Sequence, residues 1–279
     1  MTDPRTTLAG KLILVTGAGT GIGQGVALEL ARQGADVALS YHGSAEGARA
    51  AVAEMQGLGR RAVALQADLG VVADCCRVVD EAAAFLGGLD GLFNNAGVTL
   101  TLGVQEVDED LFDKIYRVNV RGQYFCCQHA IRHIVQRGEV LRRRSPEARW
   151  AGGSLVNMSS AHGTVGFSGH SVYAGTKGAI NAFSRELAVE LCPLHIRVNV
   201  VAPGTIEVPS YFKTDPNHTR QMGDSMVPWG RVGQPEDVGY LAAYLMSDAS
   251  EFMTGHILAL DGGLTATMAI PYTPPAGER

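Results

Sequence analysis

Apolar positions along this chain fall into short runs separated by longer stretches with helical spacing. Leu12-Ile13-Leu14-Val15 is the first run, short and rich in β-branched residues, and it predicts a strand. Val37–Ser40, Ala62–Gln66, Leu89–Phe93, Gly153–Met158, His195–Val201 and Ile257–Leu260 predict six more. Between them lie helical segments. One follows Gly23 and ends at Gly34, carrying Val26, Leu28, Leu30 and Ala31; others cover Ala45–Leu58, Val71–Leu86 and Pro235–Met246. Glu109–Arg137 reads as one long helix with Leu111, Ile115, Val118, Phe125, Ile131 and Ile134 as its apolar stripe, and another helix opens at Ser171. The alternation of strand and helix predicts an α/β fold, and no break in composition marks a linker, so residues 1–279 are expected to form one domain.

Three stretches escape the pattern. Arg137–Trp150 is basic and is expected to be a solvated loop leading to the fifth strand. Glu207–Gly233 is irregular and mixes Tyr211, Phe212, Met222, Met226 and Trp229 with Glu207, Lys213 and Asp215; a long loop after a strand end is expected to be a substrate lid. Tyr272–Arg279, with two prolines, has no core-forming pattern.

The first strand runs into Thr16-Gly17-Ala18-Gly19-Thr20-Gly21-Ile22-Gly23, and a helix follows. Strand, glycine turn and helix in that order are the context in which glycines let backbone approach a pyrophosphate at a helix N-terminus. Such sites usually carry a carboxylate at the end of the second strand, to bind the ribose 2′-hydroxyl of NAD. Here that end reads Ser40-Tyr41-His42-Gly43-Ser44, without an acid. Further on, Tyr173 and Lys177 stand four apart, on one face of the helix that opens at Ser171. An ammonium beside a phenol favours phenolate, and so suits tyrosine to acid/base work. Ser160 lies just past the Gly153–Met158 strand, where α/β sheets gather their chemistry.

With Asn94-Asn95-Ala96-Gly97 the pattern becomes specific. From about Gly10 to Gly263 the chain resembles the short-chain dehydrogenase/reductase family. The resemblance rests on the glycine turn, Asp68-Leu69, Asn94–Gly97, Asn119 within Val-Asn-Val, Ser160, Tyr173-x-x-x-Lys177, Pro203-Gly204 and Asp261-Gly262-Gly263. It implies a doubly wound, Rossmann-type parallel sheet of seven strands with helices on both faces. It also implies hydride transfer between NAD(P)(H) and a carbonyl or alcohol. The implied catalytic residues are Asn119, Ser160, Tyr173 and Lys177: Tyr173 as acid/base, Lys177 on the nicotinamide ribose, Ser160 on the reacting oxygen, Asn119 anchoring a proton-relaying water. The implied cofactor contacts are Gly17, Gly19, Thr20, Gly21, Ile22, Gly23, Ser40, Tyr41, His42, Asp68, Leu69, Asn95, Ala96, Gly97, Tyr173, Lys177, Pro203, Gly204 and Ile206. Tyr41 stands where NAD-preferring relatives usually carry Asp, whereas Thr20 stands where many NADP-preferring ones carry a cation. Ser40, His42 and Ser44 remain as donors, which tips the expectation to NADP(H) with NAD(H) open.

The Pro203–Phe212 and Val227–Asp237 stretches resemble sugar or polyol dehydrogenases, so a small polar substrate is expected, with His162, Tyr211 and Phe212 as candidate contacts. A 3-oxoacyl thioester reductase is the alternative, and a non-catalytic nucleotide-binding regulator a more distant one. The net charge of −5 argues against nucleic-acid and membrane-surface partners. Met1–Lys11 has no apolar core and no stretch could span a bilayer, so a cytoplasmic protein without a signal peptide is expected. Five cysteines, two adjacent pairs and a singleton, match neither zinc nor disulfide spacing; they are read as reduced core thiols, and no metal site is expected. The family usually pairs its long helices between subunits, so a homotetramer is expected.

Overall fold

The computed structural model describes residues 5–145, 150–209 and 219–267. Its seven strands are β1 (Leu12–Val15), β2 (Asp36–Tyr41), β3 (Ala62–Gln66), β4 (Gly91–Asn94), β5 (Gly153–Met158), β6 (Ile196–Pro203) and β7 (Ile257–Leu260). All pair in parallel, in the order β3-β2-β1-β4-β5-β6-β7. The chain builds outward from β1 to β3, then returns to lay β4 on the other side of β1. Beside that reversal, at the carboxyl ends of β1 and β4, an open α/β sheet has its ligand crevice.

Successive residues of a strand face opposite ways, and here both ways are buried. Ile13 and Val15 join Val37, Leu39, Phe93 and Val156 in one core, under α1 (Gly21–Arg32) and α2 (Ala45–Gly57). Leu12 and Leu14 join Leu92, Leu155 and Val198 in the other, under α3 (Val72–Leu86). That second face is completed by a long helical segment made of α4 (Glu109–Tyr116), a π-helical stretch (Arg117–Gly122) and α5 (Gln123–Arg144), and by α6 (Ser171–Leu191). A short α7 (Arg220–Asp224) precedes α8 (Pro235–Met246), which packs on α1. No described helix is long and apolar enough to cross a membrane.

The structure departs from the sequence reading in particular places. The fourth strand begins at Gly91 rather than Leu89, and the sixth at Ile196, because His195 takes a left-handed turn with φ 54°. The long helix does not stop at Arg137. Its basic end is the last turns of α5, so the expected loop shrinks to the residues after Arg144. Arg142, Arg143 and Arg144 sit where a helix has its negative pole, which favours cations. Arg142 also lies over the Trp150 ring, 5.0 Å from its centre. Glu207–Gly233 is tied at its base: Ile206 bridges to Gly233, and α7 interrupts the irregular stretch.

α1 and α8 approach closely because each offers a glycine at the contact. A side chain on Gly25 would run into Pro235, and one on Gly239 would come within 2.7 Å of Glu29 Cβ. Gly25→Val should therefore force the helices apart and cost about 1–3 kcal/mol, read as a lower urea midpoint at unchanged m-value.

Candidate active site

The crevice begins with a clamp between strand ends. Thr16 Oγ1, fully buried after β1, accepts from the backbone N–H groups of Asn95 and Ala96, both at 3.1 Å. Asn95 answers with its own amide, donating to Thr16 O at 3.1 Å and Gly17 O at 2.9 Å. Gly17 turns the chain there with φ +63°, and a Cβ on it would lie 2.7 Å from Ala96 Cα. A Cβ on Gly23 would collide with the Asn95 amide, so the turn tolerates no side chain at either place. α1 then starts at Gly21 with no acidic residue in its first turn, and the extended Thr20 ahead of it makes no side-chain cap. Unspent amides, a bare positive helix end and a side-chain-free turn fit the pyrophosphate of a dinucleotide.

Ser40 is placed differently from the expectation. It is 1% exposed, its hydroxyl accepts from Gly17 N at 3.2 Å and its carbonyl from Ala18 N at 2.7 Å. It braces the glycine turn from beneath rather than facing a second phosphate. Tyr41 is half-buried, while His42, Ser44 and Thr20 are exposed around the turn. Asp68 accepts from Gly70 N at 2.8 Å, and the buried Leu69 accepts from Cys75 through its carbonyl. Ile22 packs partly against the core. Pro203 ends β6, Gly204 lies against Asp261, and Ile206 is buried at the bridge to Gly233. Val208 crosses the start of α1, coming within 3.3 Å of where a Gly21 side chain would sit.

The structure brings the four expected catalytic side chains onto neighbouring elements. Ser160 follows β5 and is 8% exposed; its Oγ accepts from His162 N at 3.3 Å, capping a short 3-10 turn (Ala161–Gly163). Tyr173 and Lys177 lie on successive turns of α6, with Lys177 Nζ 5.3 Å from the centre of the Tyr173 ring. Lys177 is 3% exposed, and its Nζ donates to Met158 O at 2.9 Å. Burial disfavours the ammonium and pushes its pKa down to about 7. Gly97 floors this space: a Cβ there would lie 3.2 Å from Asn119 Oδ1 and 3.7 Å from Lys177 Nζ.

Asn119 sits in the π-helical stretch, fully buried. Its Oδ1 accepts from Val98 N at 2.7 Å and its Nδ2 donates to Val98 O at 2.8 Å, reading one residue's backbone twice. Nδ2 also reaches Thr176 Oγ1 at 3.1 Å, and Thr176 in turn donates to Tyr173 O at 2.7 Å. Beyond the expected water, then, the side chain ties the strand-end loop to the tyrosine helix. Thr16, Ser159, whose hydroxyl donates to Lys177 O at 3.0 Å, and Thr176 are supporting residues that sequence reasoning passed over. Small hydroxyls beside motif residues were the signal.

Around Tyr173 stands a cluster of rings. His162 lies 4.7 Å from His170, 5.5 Å from Tyr173 and 6.0 Å from Phe167, centre to centre. His170 is held from both sides, by Thr101 Oγ1 at 3.0 Å on Nε2 and by Ser168 O at 3.0 Å on Nδ1. Burial, then the neighbouring His170, keeps His162 below the usual imidazole pKa, and its Nδ1 is buried without a hydrogen-bond partner. Phe167 is 64% exposed. His170 was not anticipated; nothing in its spacing distinguishes it. Tyr211 and Phe212, the other expected substrate contacts, lie outside the described residues.

Comparison with known proteins fits this geometry. Residues 17–265 match the family described as Enoyl-(Acyl carrier protein) reductase. The chain is similar to the versicolorin reductase of Emericella nidulans, 36% identical over 267 residues that make up 92% of this chain and 96% of the relative. It is equally similar, at 36% over 273 residues, to a hydroxynaphthalene reductase-like protein of Metarhizium brunneum, covering 93% and 96% of the two chains. A short-chain dehydrogenase of Burkholderia cenocepacia, solved in complex with NADP, superposes with a TM-score of 0.81 at 34% identity, over 92% of this chain and 98% of that one. A glycine turn at the reversal of a parallel sheet, with tyrosine and lysine at the next strand end, defines a nucleotide-dependent oxidoreductase. The chain belongs to the short-chain dehydrogenase/reductase family, and is an NAD(P)-dependent enzyme acting on CH–OH and carbonyl groups.

The buried lysine makes a pH prediction. Its folded pKa, about 7, is below the unfolded value of 10.5, so between these the unfolded chain holds the extra proton and stability rises with pH. Lys177→Met removes that dependence. The parent should therefore gain in melting temperature relative to Lys177→Met as pH rises from about 7 to 10; a constant difference across that range would refute the buried, desolvated ammonium.

Proposed function

We propose that this enzyme interconverts a ring-bearing hydroxyketone and its alcohol at Tyr173, using NADP(H) in preference to NAD(H). The observation that carries the reading is the half-buried Tyr173 with the Lys177 Nζ 5.3 Å from its ring centre, beside Ser160 at the carboxyl end of β5. The bound nicotinamide supplies or accepts the hydride. Tyr173 gives its phenolic proton to the carbonyl oxygen in reduction and takes one from the alcohol in oxidation. Ser160 donates to the same oxygen, an interaction that strengthens as negative charge grows there. Lys177, when protonated, favours the phenolate; because burial alone would let it lose that proton near neutral pH, acceptors brought into the cleft by ligand keep it charged. Asn119 keeps Val98 and α6 in register for these contacts.

The second phosphate is read from what β2 lacks. No acid stands at its end to repel a 2′-phosphate, and exposed His42 and Ser44 supply donors beside the glycine turn. Glu46 in the first turn of α2 works the other way, which keeps the preference modest.

For the substrate, the ring cluster of His162, Phe167 and His170 against Tyr173 favours a flat, unsaturated partner over a plain acyl chain. The partnerless Nδ1 of His162 favours a hydroxyl near the reacting carbonyl. Relatives named for versicolorin and hydroxynaphthalene support an aromatic hydroxyketone ahead of the sugar or polyol that the loop motifs resemble. The Glu207–Gly233 segment, closed at its base by the bridge between Ile206 and Gly233, serves as the lid. We further propose that the working form is a homotetramer.

A panel of aromatic hydroxyketones, sugars, polyols and 3-oxoacyl esters, read by nicotinamide absorbance, tests the substrate class. Aromatic hydroxyketones should give the highest kcat/KM; a sugar or an acyl ester ahead of them by tenfold would overturn this reading. Tyr173→Phe should lower turnover at least a thousandfold while the cofactor still binds, and activity within a few-fold of the parent would exclude Tyr173 as the acid. Tyr41→Asp should reverse the cofactor order, seen by fluorescence titration with NADPH and NADH, because a new carboxylate repels the 2′-phosphate and accepts from the 2′-hydroxyl.

A further inference from the structure

Well away from the cleft, α3 and α5 pack side by side through Cys75, Val78, Val79 and Ala82 on one helix and Cys126, Ala130 and Ile134 on the other. At the rim of that contact, Asp80 of α3 reaches across to two histidines of α5. His129 and His133 stand four apart, so one helical face carries both imidazoles, the same spacing by which His-x-x-x-His pairs hold metals. Both present Nε2 to a single carboxylate oxygen, Asp80 Oδ1, at 2.9 Å and 2.7 Å. The three donor atoms lie within 4.8 Å of one another.

We propose that Asp80, His129 and His133 form a binding site for a zinc-class divalent cation that staples α3 to α5. Two imidazole nitrogens and one carboxylate oxygen are the donor set of zinc and its neighbours, not of calcium or magnesium, which take oxygen. Metal–ligand bonds of about 2.0–2.1 Å arranged tetrahedrally hold donor atoms roughly 3.3 Å apart, so the two imidazole–carboxylate spacings need to open by only about half an ångström, with the imidazole nitrogens within 4.8 Å of each other. The histidine side chains are 16% and 23% exposed and held by helix packing, while the Asp80 side chain is 55% exposed and can make the adjustment. Among the described residues, the ion pairs of Asp80 are with these two histidines alone, whereas the nearby Arg77 is engaged by Asp74 and Glu81. Among the described residues, no lysine or arginine is paired with the carboxylate. The Asp80 side chain is 55% exposed, so the site lies at the protein surface, on helices other than the one that carries Tyr173 and Lys177. The ion's role is therefore to join two helices, and the hydride chemistry does not depend on it. Sequence spacing could not reveal it, because the completing ligand lies 49 residues from the first histidine.

The test uses the full chain without an affinity tag, stripped with chelator, in a Cys76→Ser/Cys192→Ser background that removes the more accessible thiols. Equilibrium dialysis with ZnCl2 should give one ion per chain, a raised melting temperature, and, with CoCl2 in its place, the visible absorption of a four-coordinate Co2+ site. Asp80→Asn still accepts from the imidazoles, so the helices stay packed, yet it should weaken zinc by tenfold or more. His129→Gln/His133→Gln should abolish the Co2+ spectrum. Turnover without added metal should match the parent in all of these variants. No ion retained by the background protein, or zinc binding and Co2+ absorption unchanged by the Asp80 and histidine substitutions, would overturn the site.

Discussion

The clamp between the ends of β1 and β4 is the constraint on which the rest depends. Those two strands are neighbours in the sheet but far apart in the chain, and their carboxyl ends must be held at one level for a crevice to exist. Thr16 and Asn95 do this reciprocally, each satisfying backbone groups of the other strand's exit. Thr16 is fully buried and Asn95 half-buried, so breaking one bond leaves its partner poorly placed to find water, a cost of about 1–3 kcal/mol. The glycine turn inherits its shape from the clamp, and Ser40 reinforces it from the β2 side. A dinucleotide thus meets a surface whose amides were aligned at folding.

A second chain of contacts runs from there to the chemistry. Val98, four residues past the end of β4, is gripped by Asn119; Asn119 holds Thr176; Thr176 holds the carbonyl of Tyr173. Position is transmitted through hydrogen bonds of ordinary length, with no flexible side chain between. Lys177 differs in kind. Its charge is poorly tolerated where it sits, and that intolerance makes it responsive to what enters the cleft. A rigid scaffold and one electrostatically unsatisfied ammonium divide the labour.

How much of this was legible beforehand follows from range. β5, β7 and α8 were legible because their signals are local: short apolar-rich runs and a proline at a helix start. The four catalytic candidates were legible because the chain repeats a known motif order. Ser40 was misread because a hydroxyl at a strand end looks the same from the sequence whether it faces solvent or the glycine turn. The end of the long helix was misread because Gly138 and the arginines resemble a loop until Trp150 is seen packed over Gly138. Asp80 and its two histidines come from segments that only the fold brings together, whereas the ring cluster lies within the stretch from His162 to Tyr173, where spacing gives no sign of which rings meet.

The π-helical stretch has a consequence for everything downstream of it. A widened turn accommodates one residue more than an α-turn would, and each residue advances an α-helix by about 100°. α5 is therefore rotated in phase relative to α4. That rotation lets Ile115 be buried while Cys126, Ala130 and Ile134 face α3. Deleting a single residue between Arg117 and Gly122 would regularise the backbone and leave that apolar stripe facing α3, whereas regularising the turn with every residue kept would swing the stripe by about 100°. The irregular turn acts as an angular spacer, setting which side of a long rod meets the sheet.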